Sequence, residues 1–516
     1  MLNRFFGNNT HTYLHLLGIS GIAFALPWSK VMMSISMMFV VLNLILEGNY
    51  RSYWEQFKSN RVFWLIVAVY TLNILGILWS SNIDEALHSI KQQLPFIAIP
   101  TVLVAKPISN KKHLEIVFMT FLAAMLVTSV YNFLSYQHII GDHFYNDIRG
   151  MSLTSSHIRY GLLIAMAGAI TLVCSENNRK RIIPSMILLA WFAFYTFYSQ
   201  VISGVISFAA VLSVYALCHI WFRRKKLAIL MGVGLLLIAI LPLIWLFQPL
   251  KVDPADYSSL PKTTAQGNPY EHNFTFVDSE TKEPVLIYLC EEELENEWNQ
   301  RSGIPYLGKT IQGNSISHTL IRYLASKHLT RDAAGVKKLT QQDIENIEFG
   351  RTSIHYSGLM PRMHALRFEL NYAENPNGHS LLQRFEYWKA GFSLATSNWL
   401  IGVGSGDVQD AFNDHYTISN SPLTEENRRR AHNQFLTYWI SFGIIGLALF
   451  IGLLVLFIRF NYQRKSILGL LFISIVIASF FMEDTLETQT GVTFFGLFLG
   501  IFLAPISQKS ASNSVD

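Results

Sequence analysis

Residues 227–247 read LAILMGVGLLLIAILPLIWLF, and residues 223–226 just before them read RRKK. The first stretch is free of charge over a length that crosses a bilayer as a helix, for which about 20 apolar residues are needed. The second concentrates positive charge at one end of it, and Lys and Arg in short connections mark the cytoplasmic side of a membrane. Together they predict a membrane helix of defined orientation.

Both signals recur along the chain. Further spans are predicted at 12–28, 29–46, 62–80, 93–105, 113–135, 157–174, 183–198, 200–221, 433–458, 466–482 and 490–505. The span at 93–105 is short and contains Pro95 and Pro100. Arg4 before the first apolar stretch resembles a secretory signal, but a second span follows at once, so the first reads as a retained helix. Composition agrees: the 516 residues are 51% hydrophobic and 15% charged, against about 25% charged in soluble domains.

Basic clusters at Arg51–Arg61, Lys106–Lys112, Arg179–Arg181, Arg223–Lys226, Arg459–Lys465 and Lys509 fall in every second connection. Both termini are therefore expected in the cytoplasm and the long segment 248–432 outside it. The predicted fold class is an all-α polytopic membrane protein of about 12 transmembrane helices, with a mostly helical extracytoplasmic domain inserted before the last three. Its divisions are an N-terminal membrane domain at 1–247, a large loop domain at 248–432, C-terminal membrane helices at 433–506 and a cytoplasmic tail at 507–516. Within the loop domain, Pro284–Cys290 reads as a strand, and Glu291–Arg301, Thr319–His328, Gln341–Glu348, Met363–Leu370 and Leu381–Leu394 read as amphipathic helices. Cys174, Cys218 and Cys290 are too far apart in context to suggest a disulfide.

Several residues carry chemistry. Arg428, Arg429 and Arg430 abut a span on the side that the charge pattern makes external. They read either as an anchor to lipid phosphates or as a site for an anionic substrate, which the guanidinium fork holds bidentately. His432 follows in Arg430-Ala431-His432-Asn433-Gln434-Phe435-Leu436; it reads as a surface residue or as a general base. Arg384, in Arg384-Phe385-Glu386-Tyr387-Trp388, reads as the partner of a nearby acid or as a second phosphate ligand. Gly402-Val403-Gly404-Ser405-Gly406-Asp407 reads as a turn with a helix cap, or as an anion cradle. Lys91, Arg149, His157 and Arg159 lie at the same predicted face, as do Glu483, Asp484 and Glu487. These acids either pair with the arginines, hold a sugar hydroxyl or are solvated. The sequence shows no metal-ligand spacing, no nucleotide-binding loop and no groove pattern for nucleic acid.

The order R-x-x-x-W, G-x-G-x-G-D, H-N-Q-F-L and G-x-x-G-L resembles the O-antigen ligase and O-antigen polymerase superfamily, closest to a ligase-like subgroup with an enlarged loop. Ser156–Tyr160, Thr319–Leu324, Asn377–Ser380 and Glu483–Val492 also look like features of that family. The resemblance implies a metal-independent glycosyltransferase of a bacterial inner membrane, in lipopolysaccharide biosynthesis, with its large loop in the periplasm. The donor would be a glycan on undecaprenyl diphosphate, and the first-choice acceptor lipid A–core. Polymerisation of lipid-linked repeats and transfer to protein are the alternatives, with a lipid-linked glycan transporter as the non-enzymatic one. No cofactor is implied. The resemblance makes His432 the base, and Arg384, Arg430, Arg159, Arg429, Lys91 and Glu483 the substrate-binding set. One departure is that Gln200-Val201-Ile202-Ser203-Gly204 lacks an arginine that many members carry; either another outer arginine, such as Arg159 or one of Arg428–Arg430, replaces it, or the carrier is held differently.

Overall fold

A computed structural model of the chain describes residues 10–108, 110–141, 143, 148–175, 181–253, 257, 259–355 and 358–503. Every predicted span is a helix. In chain order, the first part contains α1 (Thr10–Ala25), α2 (Lys30–Glu47), α3 (Tyr50–Ser59), α4 (Arg61–Leu75), α5 (Ile83–Gln92), α6 (Leu94–Ala105), α7 (Lys111–Tyr136), α8 (His157–Ser175), α9 (Ile182–Tyr198), α10 (Ile202–Trp221) and α11 (Lys225–Phe247). Seven helices among the described residues are long and apolar enough to cross a membrane, and three shorter apolar helices join them. The fold is that of an all-α polytopic membrane protein. α11 leaves nearly all of its apolar side chains exposed, Leu230, Leu236 and Ile238 among them, as suits a helix solvated by lipid.

The chain forms two compact units, Met1–Val233 with Gln383–Asp516, and Gly234–Leu382. The second holds an antiparallel pair, β1 (Glu271–Val277) and β2 (Pro284–Leu289), paired from Glu271↔Leu289 to Val277↔Pro284 with bulges between. It continues through α12 (Glu291–Arg301), α13 (Ile316–Ser326), α14 (Ala333–Lys337), α15 (Gln341–Phe349) and α16 (Leu359–Tyr372). Its core gathers Leu294, Trp298, Leu320, Leu324, Ile344 and Ile347. β2 and the amphipathic helices stand where hydrophobic periodicity predicts them. β1 alternates exposed Glu271, Asn273 and Thr275 with partly buried His272, Phe274 and Phe276, the pattern of a half-buried strand that the sequence reading left unassigned.

The rest of the first unit is α17 (Ser380–Ser397), α18 (Val408–Ile418), α19 (Gln434–Gln463), α20 (Ile467–Met482) and α21 (Gln489–Leu503). α6 lies along α21, with Phe96 and Phe495 stacked at 5.7 Å. α19 is broken at Gly443, whose φ of 63° and ψ of −164° are not helical. The break strips the carbonyls of Ile440 and Ser441 of their helical donors, and the glycine turn replaces them. Val403 N donates to Ile440 O at 2.8 Å, Gly404 N to Ser441 O at 2.9 Å, and Ile444 N to Trp399 O at 2.8 Å. Buried backbone groups at a kink must find partners of this kind.

The turn and the break fit only because both are glycine at the contact. A Cβ on Gly443 would lie 2.1 Å from the Leu400 carbonyl, and one on Gly402 2.4 Å from the Ser441 backbone. Gly443→Ala is therefore expected to cost about 1–3 kcal/mol for the backbone conformation alone, with displacement of the 400–404 turn added. Thermal unfolding of the purified variant, read against wild type, should show a lower midpoint; an unchanged one would mean the turn yields freely.

Candidate functional site

The loop between α20 and α21 carries Glu483-Asp484-Thr485-Leu486-Glu487-Thr488, and it draws together residues from distant parts of the sequence. Glu483 is 1% exposed. Its Oε2 accepts from Arg159 Nη1 at 3.0 Å and from His432 Nδ1 at 3.2 Å, and its Oε1 accepts from Arg384 Nη2. One buried carboxylate thus meets two arginines and a histidine. A buried charge is tolerable only with such compensation.

Asp484 shapes the backbone beside it. Its carboxylate accepts from His432 N at 3.0 Å, Asn433 N at 2.9 Å and Thr437 Oγ1 at 2.6 Å. His432 has φ of 47°, in the left-handed region, and this conformation presents two successive N–H groups to one carboxylate. Asn433 then caps α19, its side chain accepting from Phe435 N and Leu436 N. Gln434 fastens the same loop, accepting from Leu486 N at 2.8 Å. The H-N-Q run is therefore three different attachments to one acidic loop.

A carboxylate only accepts hydrogen bonds, so Nδ1 of His432 carries a proton. Nε2 makes no hydrogen bond with the described residues, and the side chain is 31% exposed. Tyr387, one helical turn from Arg384 on α17, lies against the His432 ring at 5.4 Å between centroids, and its hydroxyl donates to Asn427 O at 2.8 Å. The arrangement is an oriented imidazole with one free nitrogen, flanked by guanidinium groups.

Arg159 donates from each of its three nitrogens to protein. Besides Glu483, it donates from Nε to Thr488 Oγ1 at 3.3 Å and from Nη2 to Asp484 O at 3.2 Å, and it is 8% exposed. Arg430 turns inward to a second acid pair, Glu85 Oε1 at 2.8 Å and Glu487 Oε2 at 3.6 Å. Gln93 donates to Glu487 Oε1 at 3.0 Å. Arg428 reaches Leu423 O and Thr417 Oγ1, while Arg429 and, on α5, Lys91 are exposed and join no ion pair with the described residues. Arg149 sits on a short 3-10 turn at Ile148–Met151, and His157 opens α8.

The glycine turn is occupied otherwise. Beyond the Val403 and Gly404 bonds to α19, Gly406 N donates to Ser80 Oγ at 3.0 Å, and the Asp407 carboxylate accepts from Ser81 N and Asn82 N at 2.8 Å each. It braces α19 and the segment before α5, its Val403, Gly404 and Gly406 amides are taken by protein acceptors, and Asp407 precedes α18 without a side-chain cap bond to it. Sequence reasoning left unplaced Glu85, Gln93, Thr488 and Tyr387. Tyr387 had a signal in its spacing of three from Arg384 on a helix, and Thr488 in lying within the Glu483–Val492 stretch.

Residues 352–451 match the family model described as O-antigen ligase. The match supports membership of the O-antigen ligase superfamily. No curated protein is significantly similar to the chain. The O-antigen ligase match takes in Arg384, Tyr387, the glycine turn, Arg430, His432 and the Gly443 break. Arg159, Glu85 and the whole 483–488 loop lie outside it and reach the matched residues through space.

Burial pushes the Glu483 carboxyl up, but the His432 hydrogen bond and the Arg159 and Arg384 charges outweigh it and bring the group down to about 2. A carboxyl held below its ordinary 4.5 stabilises the fold above that pH, and the contribution drains away as pH falls from there towards 2. Glu487 runs the other way: burial pushes it up against the pull of Arg430, with Asp484 adding to the rise. Its contribution is present while it is protonated and is lost as pH rises. Comparing wild type with Glu483→Gln cancels the Glu487 effect. The wild-type unfolding midpoint should drop more steeply than the variant's between about pH 5 and pH 3; parallel slopes would show that Glu483 is not held low. Arg159→Gln, which strands part of a buried charge, is expected to cost about 3–5 kcal/mol. Arg384→Gln, at the wetter side, should cost less in the same measurement.

Proposed function

We propose that the protein is an O-antigen ligase-type glycosyltransferase that moves a glycan from undecaprenyl diphosphate onto lipid A–core at the periplasmic face of a bacterial inner membrane. The observation that carries this reading is His432 held by Glu483 at Nδ1, with Nε2 unengaged and Arg384 on the far oxygen of the same carboxylate. Nε2 takes the proton of the acceptor hydroxyl as its oxygen bonds to the sugar's C1. The bond between C1 and the diphosphate oxygen breaks on the opposite face, so the configuration inverts. The departing diphosphate gathers negative charge, which Arg384 would stabilise, with Arg430, Arg429 and Lys91 as further candidate cations. Arg159, with each nitrogen already on a protein acceptor, Thr488, Glu483 or Asp484, serves the site by holding Glu483. The donor is already activated, so the scheme draws on no nucleotide and no metal.

General-base catalysis contributes about 10²–10⁴-fold, so His432→Ala is expected to lower turnover by that range in a folded protein. Arg384→Lys should also be impaired, because a point charge lacks the fork. The test is a deletion strain analysed for surface lipopolysaccharide, lipid-linked glycan and glycoprotein, complemented with wild type or His432→Ala. Loss of polymer from lipid A–core with accumulation of long lipid-linked polymer, restored by wild type alone, supports the reading. Single repeats on lipid A–core would make the protein a polymerase. A change in glycoprotein alone would make the acceptor a protein, and full rescue by His432→Ala would remove the histidine from the chemistry.

A further inference from the structure

The two arginines on Glu483 are not equivalent. Arg159 donates to three separate protein acceptors and is 8% exposed. Arg384 spends only Nη2, on Glu483 Oε1, and its Nε and Nη1 have no partner among the described residues; its side chain is 21% exposed. The carboxylate is divided the same way. Oε1 belongs to Arg384, whereas Oε2 is shared by Arg159 and His432. The histidine contact, at 3.2 Å, is long for a charge-assisted hydrogen bond, which settles at about 2.7–2.9 Å.

We propose that Glu483 and the donor's diphosphate compete for Arg384, so that donor binding releases Oε1 and lets the carboxylate close on His432. This rests on the reading of the site as a diphosphate-lipid glycosyltransferase. A diphosphate carries more charge than a carboxylate and offers several oxygens to the guanidinium fork, so it takes Arg384 by engaging the donors that Glu483 leaves unused. Arg159 stays, because its other two acceptors fix it. Glu483 then has one cation fewer to serve, and its attraction for Nδ1–H of His432 grows in a site from which water is largely excluded. The base is fully aligned only when a donor is present. Hydrogen bonds of catalytic groups that are loose in the free enzyme and tighten in the complex are a common pattern. Glu483 is thus a positioning residue acting through His432, and a brake on donor affinity at the same time.

The test uses the full-length protein in lipid nanodiscs with undecaprenyl diphosphate as the probe. In wild type labelled with 15N-histidine, the probe should move the His432 Nδ1 resonance, assigned by its loss in His432→Gln, in the direction of a stronger hydrogen bond. An unmoved resonance with the probe bound overturns the competition. In binding assays, Glu483→Gln should hold the probe about tenfold more tightly while turnover falls by about 10²-fold or more. In an Arg384→Gln background the same substitution should bring no tightening. Equal or weaker binding by Glu483→Gln, or the same gain without Arg384, also overturns the proposal, and the resonance measurement stands if that variant fails to fold. Wild type that does not bind undecaprenyl diphosphate overturns the donor assignment itself, an outcome distinct from binding without the histidine response.

Discussion

A single buried carboxylate organises this protein's candidate site. Glu483, enclosed to 1% exposure, is sustained by Arg159, Arg384 and His432, and each of those comes from a different part of the chain. An ionised group at that depth requires all of its compensation to be in place. The ends of α8, α17, α19 and α20 are therefore constrained to converge on one point, and the convergence aligns the imidazole as a by-product of satisfying a charge.

Around that point the acidic loop acts as the receiving surface. Asp484 fixes the backbone entry to α19 through two N–H groups, Gln434 returns a bond to Leu486, and Glu487 receives Arg430 and Gln93. The left-handed backbone at His432 is held by these contacts; a strained residue persists only where its surroundings over-determine it. On the other side, the glycine turn supplies the donors and acceptors that the break in α19 and the start of α5 lack. The site is thus fixed where the histidine is oriented and wetter at Arg384, whose side chain is 21% exposed.

The pairing of both Arg159 and Arg384 with Glu483 bears on the arginine that the 200–204 stretch lacks. Arg159, one of the candidates to stand in for it, already has a protein acceptor on each of its three nitrogens. The proposed donor grip falls to arginines on the α17 helix and on the segment before α19, both inside the stretch matched to O-antigen ligases. The scaffold that holds Glu483, by contrast, lies outside that stretch, in α8 and in the 483–488 loop.

The sequence by itself determined the membrane helices and much of their punctuation. A run such as 227–247 has no alternative to a helix once it is in lipid, because every backbone N–H and C=O must be satisfied within the segment, and so the apolar helices were legible one at a time. His432, Arg384, Arg430 and Glu483 were legible as chemistry, because charged and titratable side chains at the ends of apolar runs are costly and stand out. Which of them pair was not. Glu483 to Arg159 and Glu85 to Arg430 are each separated by more than 300 residues, and no local pattern encodes a contact of that range. The same holds for the glycine turn, which the sequence offers as a turn with a helix cap or as an anion cradle. Only the tertiary structure brings the Val403 and Gly404 amides against the carbonyls freed by the break in α19. Local physics sets each element, and the satisfaction of buried charge and backbone across distant elements sets the site.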